Sequence, residues 1–195
     1  MRITGGEFNR RRFHIPKTFN ARPTTDFAKE NLFNILTNQI DFDSGIKALD
    51  LFAGTGSISA ELLSRGCDLV ISVEFQKSHV DFIRKVMQEL KVENNILIKG
   101  DAIQFIKRTH EKFDFIFADP PYDFDQLNVI PDLVFNQEIL APNGLFVLEH
   151  GKKHNFDDHP NFKEKRVYGS VNFTFFKHQP QSIAPTIENH EQAQV

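Results

Sequence analysis

The chain has 195 residues, of which 40% are hydrophobic and 25% charged, values that are ordinary for one globular domain with a sizeable core. No run approaches the roughly 18 consecutive apolar residues that cross a bilayer, and the first residues lack the apolar core of a signal peptide. The single cysteine, Cys67, excludes an internal disulfide. These features exclude an integral membrane protein and a disulfide-stabilised secreted domain, and they predict a cytoplasmic protein.

Basic residues are concentrated at one end of the chain, although the formal net charge is −3. Residues 1–22 hold six basic residues and one acidic residue, a local charge of +5, which leaves −8 for the rest. A basic arm on an acidic body favours contact with nucleic acid, and the alternative is a charged hairpin that meets only solvent. We predict that residues 1–25 form a small β-hairpin or arm, and that residues 5–17 order only on RNA because they hold little to bury.

Beyond the arm, hydrophobic periodicity predicts alternating helices and strands. Apolar residues at helical spacing begin just after Thr25 and Asp26, either of which can cap a helix. Five short apolar runs follow, at residues 47–52, 68–74, 95–100, 112–119 and 143–150. Amphipathic segments separate these runs, and this alternation predicts crossover units in which parallel strands form a sheet with helices on both faces.

The last part of the chain departs from this alternation. Residues 164–178 comprise two apolar runs joined by Tyr168-Gly169-Ser170, a pattern typical of an antiparallel hairpin. The polar residues 179–195 have no pattern and predict a disordered tail. The predicted fold is therefore an α/β, Rossmann-like domain at residues 26–178, with a mostly parallel sheet that an antiparallel C-terminal hairpin extends to seven strands.

The segment after the first predicted strand, Asp50-Leu51-Phe52-Ala53-Gly54-Thr55-Gly56, lies where a doubly wound fold binds its cofactor. Gly54 and Gly56 allow the backbone to approach a ligand closely, and the helix that follows offers free N–H groups. A dinucleotide-binding loop would have glycine at the position of Ser59 and no acid near the pyrophosphate. Asp50 instead favours a cationic or hydroxyl-rich ligand, such as an amino-acid group.

Acidic residues also end the next two predicted strands. Glu74 ends the second strand, where a carboxylate can accept hydrogen bonds from both hydroxyls of a ribose. Asp101 follows the third strand, within reach of an adenine amino group. Together with Asp50, these acids predict a pocket for a nucleoside with a charged tail, which S-adenosylmethionine fits better than NAD.

A stiff corner, Asp119-Pro120-Pro121-Tyr122, follows the fourth predicted strand. Proline cannot donate to a sheet, so the strand ends at or before Asp119. The Asp119 carboxylate and the Pro120 carbonyl can each accept one N–H of an exocyclic amine on a nucleobase, which exposes the nitrogen lone pair to a methyl group. Tyr122 can stack on the same base. The corner and the upstream loop therefore predict methylation of a base that is flipped out or unpaired.

Two motifs in this order, DLFAGTG and DPPY, resemble the class I methyltransferases that act on exocyclic amines. The N-terminal segments RITGGEFNRRRFHIP and ARPTTDFAKENLFNIL narrow the resemblance to the RsmD-like family, bacterial enzymes that methylate guanine N2 in 16S ribosomal RNA. The resemblance spans residues 1–177. It implies a Rossmann-like class I methyltransferase fold, S-adenosyl-L-methionine as cofactor, and 16S rRNA in an assembled or assembling small ribosomal subunit as partner.

The resemblance also implies roles for individual residues. The implied catalytic residues are Asp119, Pro120, Pro121 and Tyr122. The implied cofactor-binding residues are Asp50, Phe52, Ala53, Gly54, Thr55, Gly56, Glu74, Phe75, Asp101, Ala102 and Asp119. The implied RNA-binding residues are Arg10, Arg11, Arg12, Arg22 and Thr24. No metal ligand is implied, and we expect a monomer because no feature demands a dimer.

Three other functions stay open at the level of sequence. An adenine-N6 or cytosine-N4 DNA methyltransferase would use the same corner, although it would need a recognition domain to read base edges, for which this chain has little room. A structured RNA target, recognised mainly by shape, suits a small chain better. An oxidoreductase is disfavoured by Ser59 and the strand-end acids. A noncatalytic RNA-binding module is disfavoured because the corner and the glycine loop are intact.

Overall fold

Seven strands and five α-helices make up the part of the chain that the computed structural model describes, residues 1–17, 19 and 25–179. The strands are β1 Lys47–Leu51, β2 Leu69–Glu74, β3 Asn95–Lys99, β4 Phe113–Ala118, β5 Leu140–His150, β6 Phe162–Tyr168 and β7 Val171–Phe176. The helices are α1 Asp26–Thr37, α2 Ser57–Ser64, α3 Lys77–Leu90, α4 Ala102–Arg108 and α5 Ile130–Asn136, with a turn of 3-10 helix at Leu127–Val129.

The strands form one sheet in the order β3-β2-β1-β4-β5-β7-β6. Strands β1 to β5 run parallel, whereas β7 is antiparallel to both β5 and β6. The predicted sheet, mostly parallel with an antiparallel C-terminal hairpin, is confirmed. The chain moves outward from β1 to β3 and then returns to place β4 on the other side of β1. The carboxyl ends of β1 and β4 therefore border the switch point at which open α/β sheets bind ligands.

Apolar layers cover both faces of the sheet because side chains alternate along each strand. In β4, Phe115 and Phe117 pack in the layer that includes α1, α2 and α3, whereas Ile116 and Ala118 pack in the layer that includes α4 and α5. All four side chains are buried. This burial on two sides explains why residues 115–118 of β4 form a continuous apolar run instead of an alternating one.

The N-terminal segment is folded onto the helices. Arg2 and Arg12 form an antiparallel bridge, and Ile3 and Phe13 are buried in the same apolar layer as α1. The expectation that residues 5–17 order only on RNA is therefore wrong, because two well-separated apolar side chains anchor the segment. The division of the chain at residue 25 stays a prediction, since residues 20–24 lie outside the described part.

A buried ion pair joins α1, α2 and the N-terminal segment. Lys29 of α1 and Glu61 of α2 are both fully buried, and the distance from Nζ to Oε2 is 3.4 Å. The Lys29 ammonium also donates to the Ser57 hydroxyl and to the backbone carbonyl of Arg2. Glu61 in turn accepts hydrogen bonds from the backbone N–H and the hydroxyl of Thr4. Burial lowers the pKa of Lys29, and the nearby Glu61 carboxylate partly opposes this effect.

We expect Lys29→Met to lower the free energy of unfolding by about 2–4 kcal/mol, because Glu61 would stay buried with one cationic partner, Arg65, instead of two. Urea denaturation followed by circular dichroism measures the loss. Lys85→Met is the control, since Lys85 is exposed and its ion pair with Glu89 spans 3.8 Å. Equal losses in the two variants would contradict the role of the buried pair.

Candidate active site

A cavity of about 1080 Å³ opens at the carboxyl ends of the parallel strands. Its walls come from the segments that follow β1 to β4, from the end of β5 and from the turn between β6 and β7. The residues that sequence analysis singled out and that line it are Asp50, Phe52, Ala53, Gly54, Thr55, Glu74, Phe75, Asp101, Ala102, Asp119, Pro120, Pro121 and Tyr122. The structure thus brings the glycine loop, the strand-end acids and the proline corner to one place.

The loop after β1 turns through left-handed backbone conformations. Phe52, Gly54 and Gly56 have φ angles of 61°, 55° and 70°. Gly56 does not line the cavity, although sequence analysis assigned it to the cofactor. A Cβ atom at Gly56 would lie 3.0 Å from Cγ1 of Ile83, so its lack of a side chain permits close packing of α2 on α3. Gly54 is the glycine of this loop that faces the cavity.

The Glu74 carboxylate fixes the shape of the glycine loop. One oxygen accepts a hydrogen bond from the Gly54 N–H at 2.7 Å, and the other accepts one from the Gln76 N–H at 2.7 Å. His79, which lines the cavity beside it, has Nδ1 3.6 Å from Oε1 of Glu74. Each carboxylate oxygen has a second lone pair. Glu74 can therefore hold the loop and still accept hydrogen bonds from a ligand in the cavity.

Asp50 lies at the floor of the cavity in a buried polar network. Its Oδ2 accepts hydrogen bonds from the N–H and the hydroxyl of Ser59, which in turn contacts the Ser72 hydroxyl at 2.7 Å. The side-chain amide of Asn95 donates to the same Ser72 hydroxyl at 2.8 Å. Burial raises the pKa of Asp50 to about 7, although the hydrogen bonds from Ser59 act in the opposite direction. A cation bound nearby would favour the ionised carboxylate.

The wall formed after β2 and β3 offers both polar and apolar groups. Asp101 caps α4, because its Oδ1 accepts the Gln104 N–H at 2.8 Å. Ala102 is buried beside it, whereas Phe75 is 71% exposed and projects into the cavity region. A carboxylate next to two apolar side chains suits a planar heterocycle that carries an amino group.

The proline corner begins where the ladder between β1 and β4 ends. The Asp119 N–H donates to the carbonyl of Leu51 at 3.4 Å, and Pro120 is buried behind it. Tyr122 is 41% exposed, and its ring lies over Gly151, where a Cβ atom would be 3.8 Å from the ring. The corner therefore holds a half-exposed aromatic ring beside the Asp119 carboxylate at the cavity wall.

Sequence analysis missed several residues of the cavity wall. Glu149 in β5 is 3% exposed and lines the cavity, and it obeys the same strand-end rule as the other acids. Phe27 is 66% exposed and makes an edge contact with Tyr168 at 6.2 Å between ring centroids. Both aromatic residues line the cavity. The contact between Phe27 and Tyr168 depends on how α1 packs against the C-terminal hairpin, which local sequence patterns do not predict.

The basic residues of the N-terminal segment lie on the surface. The exposed arginines are Arg10, Arg11 and Arg12. The Arg11 guanidinium lies 5.7 Å from the centre of the Phe13 ring and donates to the Glu89 carbonyl at 3.3 Å. Arg22 and Thr24, also predicted to contact RNA, lie outside the described residues.

Among residues 1–17, 19 and 25–179, no group of three or more His, Cys, Asp or Glu side chains could hold a metal ion. Within the same ranges, none of the helices is both long and apolar enough to cross a membrane.

Comparison with known proteins points to one family. The family model described as "Conserved hypothetical protein 95" matches residues 1–177. The chain is 32% identical over 149 residues to ribosomal RNA small subunit methyltransferase D of Buchnera aphidicola subsp. Baizongia pistaciae, which covers 76% of this chain and 75% of that protein. It is 33% identical over 156 residues to the protein of the same name from Haemophilus influenzae, with coverages of 78% and 79%. A solved structure from Escherichia coli, described as a methyltransferase, has a TM-score of 0.79 at 26% identity and covers 92% of this chain and 99% of that one.

Asp50→Asn should change how stability depends on pH. Between about pH 4 and pH 7 the folded carboxyl keeps its proton while the unfolded one releases it, so the free energy of unfolding falls as pH rises, by up to about 1.4 kcal/mol per pH unit. Asparagine does not titrate and removes this contribution. Urea denaturation at pH 5 and pH 8 should therefore show that the difference in the free energy of unfolding between variant and wild type shifts in favour of the variant as pH rises. The exposed Asp125→Asn serves as the control, and an unchanged pH dependence in Asp50→Asn would contradict the burial of a titrating carboxyl.

Proposed function

The chain belongs to the family of ribosomal RNA small subunit methyltransferase D, and from this premise we propose that it transfers a methyl group from S-adenosylmethionine to the exocyclic N2 amine of a guanine in 16S rRNA. One observation carries the proposal: the glycine loop, the Glu74 carboxylate and the Asp119-Pro120-Pro121-Tyr122 corner line a single cavity. A cofactor and a base that bind there would lie side by side.

The residues on the cofactor side of the cavity fit S-adenosylmethionine. Glu74 can accept hydrogen bonds from the ribose hydroxyls, and Asp101 can accept one from the adenine amine, with Phe75 and Ala102 against the adenine ring. Asp50 provides a partner for the cationic amino-acid end, which the dinucleotide NAD lacks. When bound, S-adenosylmethionine supplies an electrophilic methyl group. These assignments are supported by the types of the residues that line the cavity and by its volume of about 1080 Å³.

The proline corner is proposed to prepare the amine for methylation. The lone pair of a guanine N2 amine is delocalised into the ring, so the amine is planar and a weak nucleophile. Hydrogen bonds from its two N–H groups to the Asp119 carboxylate and the Pro120 carbonyl, out of the plane of the ring, would favour a pyramidal nitrogen. Tyr122 would stack on the base, an interaction typically worth about 1–3 kcal/mol. Positioning carries most of the catalysis in this account, and Asp119 can accept the proton that the methylated nitrogen releases.

The substrate is proposed to be 16S rRNA in an assembled or assembling small ribosomal subunit. The exposed Arg10, Arg11 and Arg12 form a basic surface that suits phosphate, and the arm carries them on a folded support rather than on a free chain. Arg22 and Thr24 are proposed to contact RNA, as the family resemblance of their segment implies. The chain is proposed to act as a monomer. The cytoplasm is the compartment in which such a substrate occurs.

The test of the function uses tritiated S-adenosylmethionine and three substrates: small ribosomal subunits from cells that lack this protein, naked 16S rRNA, and duplex DNA. The labelled nucleoside is identified after digestion by chromatography. The proposal predicts N2-methylguanosine from ribosomal RNA. N6-methyladenine or N4-methylcytosine from DNA would keep the corner chemistry and overturn the substrate, and no transfer to any substrate would overturn the enzymatic proposal.

Asp119→Asn should reduce the turnover of methyl transfer by about 100-fold or more, because it removes the charged acceptor from the amine. The variant should still bind S-adenosylmethionine, measured by isothermal titration calorimetry, because Asp50, Glu74 and Asp101 stay in place. Asp125→Asn is the control, since Asp125 is exposed and is not among the residues that line the cavity. Retained turnover in Asp119→Asn would exclude the corner mechanism.

Reversing two charges, with Arg10→Glu and Arg12→Glu together, should weaken rRNA binding by about tenfold or more and reduce its dependence on salt. The control reverses Lys107 and Arg108, which are exposed on α4 in the layer on the opposite face of the sheet. Filter binding at several salt concentrations measures both effects. Equal weakening in the two double variants would show that net charge matters and not this surface, and a parallel loss of cofactor affinity would show that the arm supports the cavity.

A further inference from the structure

We infer that Glu149 determines the specificity for guanine, by accepting a hydrogen bond from its N1–H while Asp119 and Pro120 hold the N2 amine. This inference rests on the proposed methylation of a base amine and adds the group that identifies the base. Glu149 is buried, lines the same cavity as the proline corner and has no part in the cofactor contacts proposed above.

The strand register brings the two carboxylates together. In the parallel pair of β4 and β5, Ala118 is aligned with Leu148, so Asp119 and Glu149 are the next residues of neighbouring strands. Neighbouring strands lie roughly 4.8 Å apart. Glu149 and Asp119 therefore line adjacent parts of the cavity wall, and their flexible side chains can converge on neighbouring groups of one base edge.

The antiparallel pairing of β5 fixes the face on which Glu149 lies. Glu149 is aligned with Phe173 of β7, and directly opposed residues of an antiparallel pair share a face of the sheet. Phe173 packs in the apolar layer that also holds Phe117 of β4 and Val147 of β5. Glu149 thus belongs to the face on which α1 and the C-terminal hairpin bring Phe27 to the cavity.

The three bases differ in the group that lies next to the exocyclic amine. In guanine the N2 amine is next to N1–H, so two kinds of donor lie side by side. In adenine the amine is next to N1, and in cytosine it is next to N3, and both of these ring nitrogens are acceptors. A carboxylate beside the amine would attract the guanine donor and would face a lone pair in the other two bases. A buried polar group that is left without a hydrogen-bond partner costs free energy, and this cost discriminates strongly between bases.

Glu149 thereby separates two functions that the proline corner alone leaves open. Asp119 and the Pro120 carbonyl can accept N–H groups from any exocyclic amine. The buried carboxylate of Glu149, one strand further along the sheet, disfavours adenine-N6 and cytosine-N4 and favours guanine-N2. The carboxylate has about four lone-pair sites in total, so contacts with the protein leave capacity for the base.

The test uses the wild-type protein and a modified base. After the methylated guanine has been mapped by digestion and mass spectrometry, small subunits are reconstituted with 16S rRNA that carries 2,6-diaminopurine at that position. This base keeps the N2 amine but has an acceptor at N1. Wild-type protein should favour guanine over diaminopurine by about 10- to 100-fold in kcat/KM.

Glu149→Gln supplies the matched change in the protein. The glutamine amide can donate to the N1 acceptor of diaminopurine, so the preference should fall to within about threefold or reverse. The affinity for S-adenosylmethionine should stay that of the wild type. Glu111→Gln is the control for the same chemical change, because Glu111 is exposed, precedes β4 at the opposite edge of the sheet and pairs with Lys47; its preference should equal that of the wild type.

The outcomes distinguish the inference from the function on which it rests. If the wild type methylates guanine and diaminopurine equally well, or if Glu149→Gln slows both substrates by the same factor, Glu149 does not select the base. If no guanine is methylated in any substrate, the proposed function itself fails. A changed ratio in Glu149→Gln, with wild-type cofactor affinity, supports the assignment and excludes a purely structural role.

Discussion

The direction of the parallel strands is the constraint on which the site depends. Because β1 to β5 are parallel, their carboxyl ends meet at one edge of the sheet, and acidic residues at those ends are forced into one cavity. Burying carboxylates costs free energy unless hydrogen bonds replace water. The structure provides these bonds from backbone N–H groups: Gly54 and Gln76 donate to Glu74, and Ser59 donates to Asp50. The same hydrogen bonds set the shapes of the loops, so the positions of the acids and the conformations of the loops depend on each other.

The switch point of the sheet divides this edge into two parts. On one side, the ends of β1, β2 and β3 carry Asp50, Glu74 and Asp101, which suit a nucleoside cofactor. On the other side, the region after β4 and the end of β5 carry Asp119 and Glu149, which suit the edge of a base. The loop after β1 borders both parts, so a group at the end of the cofactor and an amine at the proline corner would meet there. The C-terminal hairpin closes the second part, since Tyr168 and its contact partner Phe27 line the cavity.

Much of this fold could be predicted from the sequence because its signals are local. Apolar runs and their spacing predicted the parallel strands, Thr25 was correctly expected among the candidate caps of α1, where its hydroxyl accepts the Ala28 N–H, and the turn at Tyr168-Gly169-Ser170 predicted the hairpin. The strand-end acids could be assigned to one cavity because parallel strands leave no other arrangement. Glu149, near the end of β5, follows the same rule, so the sequence carries the signal that would have identified it.

What could not be predicted depends on contacts between residues distant in sequence. The folded N-terminal segment is held by Ile3 and Phe13, two isolated apolar residues among charged ones, and by the buried pair of Lys29 and Glu61. A lysine in an amphipathic helix is normally exposed, so its burial becomes evident only when α2 and the segment are in place. The different roles of Gly54 and Gly56 could not be predicted either, because the packing of Gly56 against Ile83 depends on the position of α3.

A crystal structure with bound S-adenosylhomocysteine would test the central claim, that one cavity holds cofactor and base in a single fixed orientation. We expect the ribose hydroxyls at Glu74, the adenine between Phe75 and Asp101, and the sulfur directed towards Asp119 and Tyr122. A nucleoside bound in the reverse orientation, with the sulfur directed away from the proline corner, would contradict it.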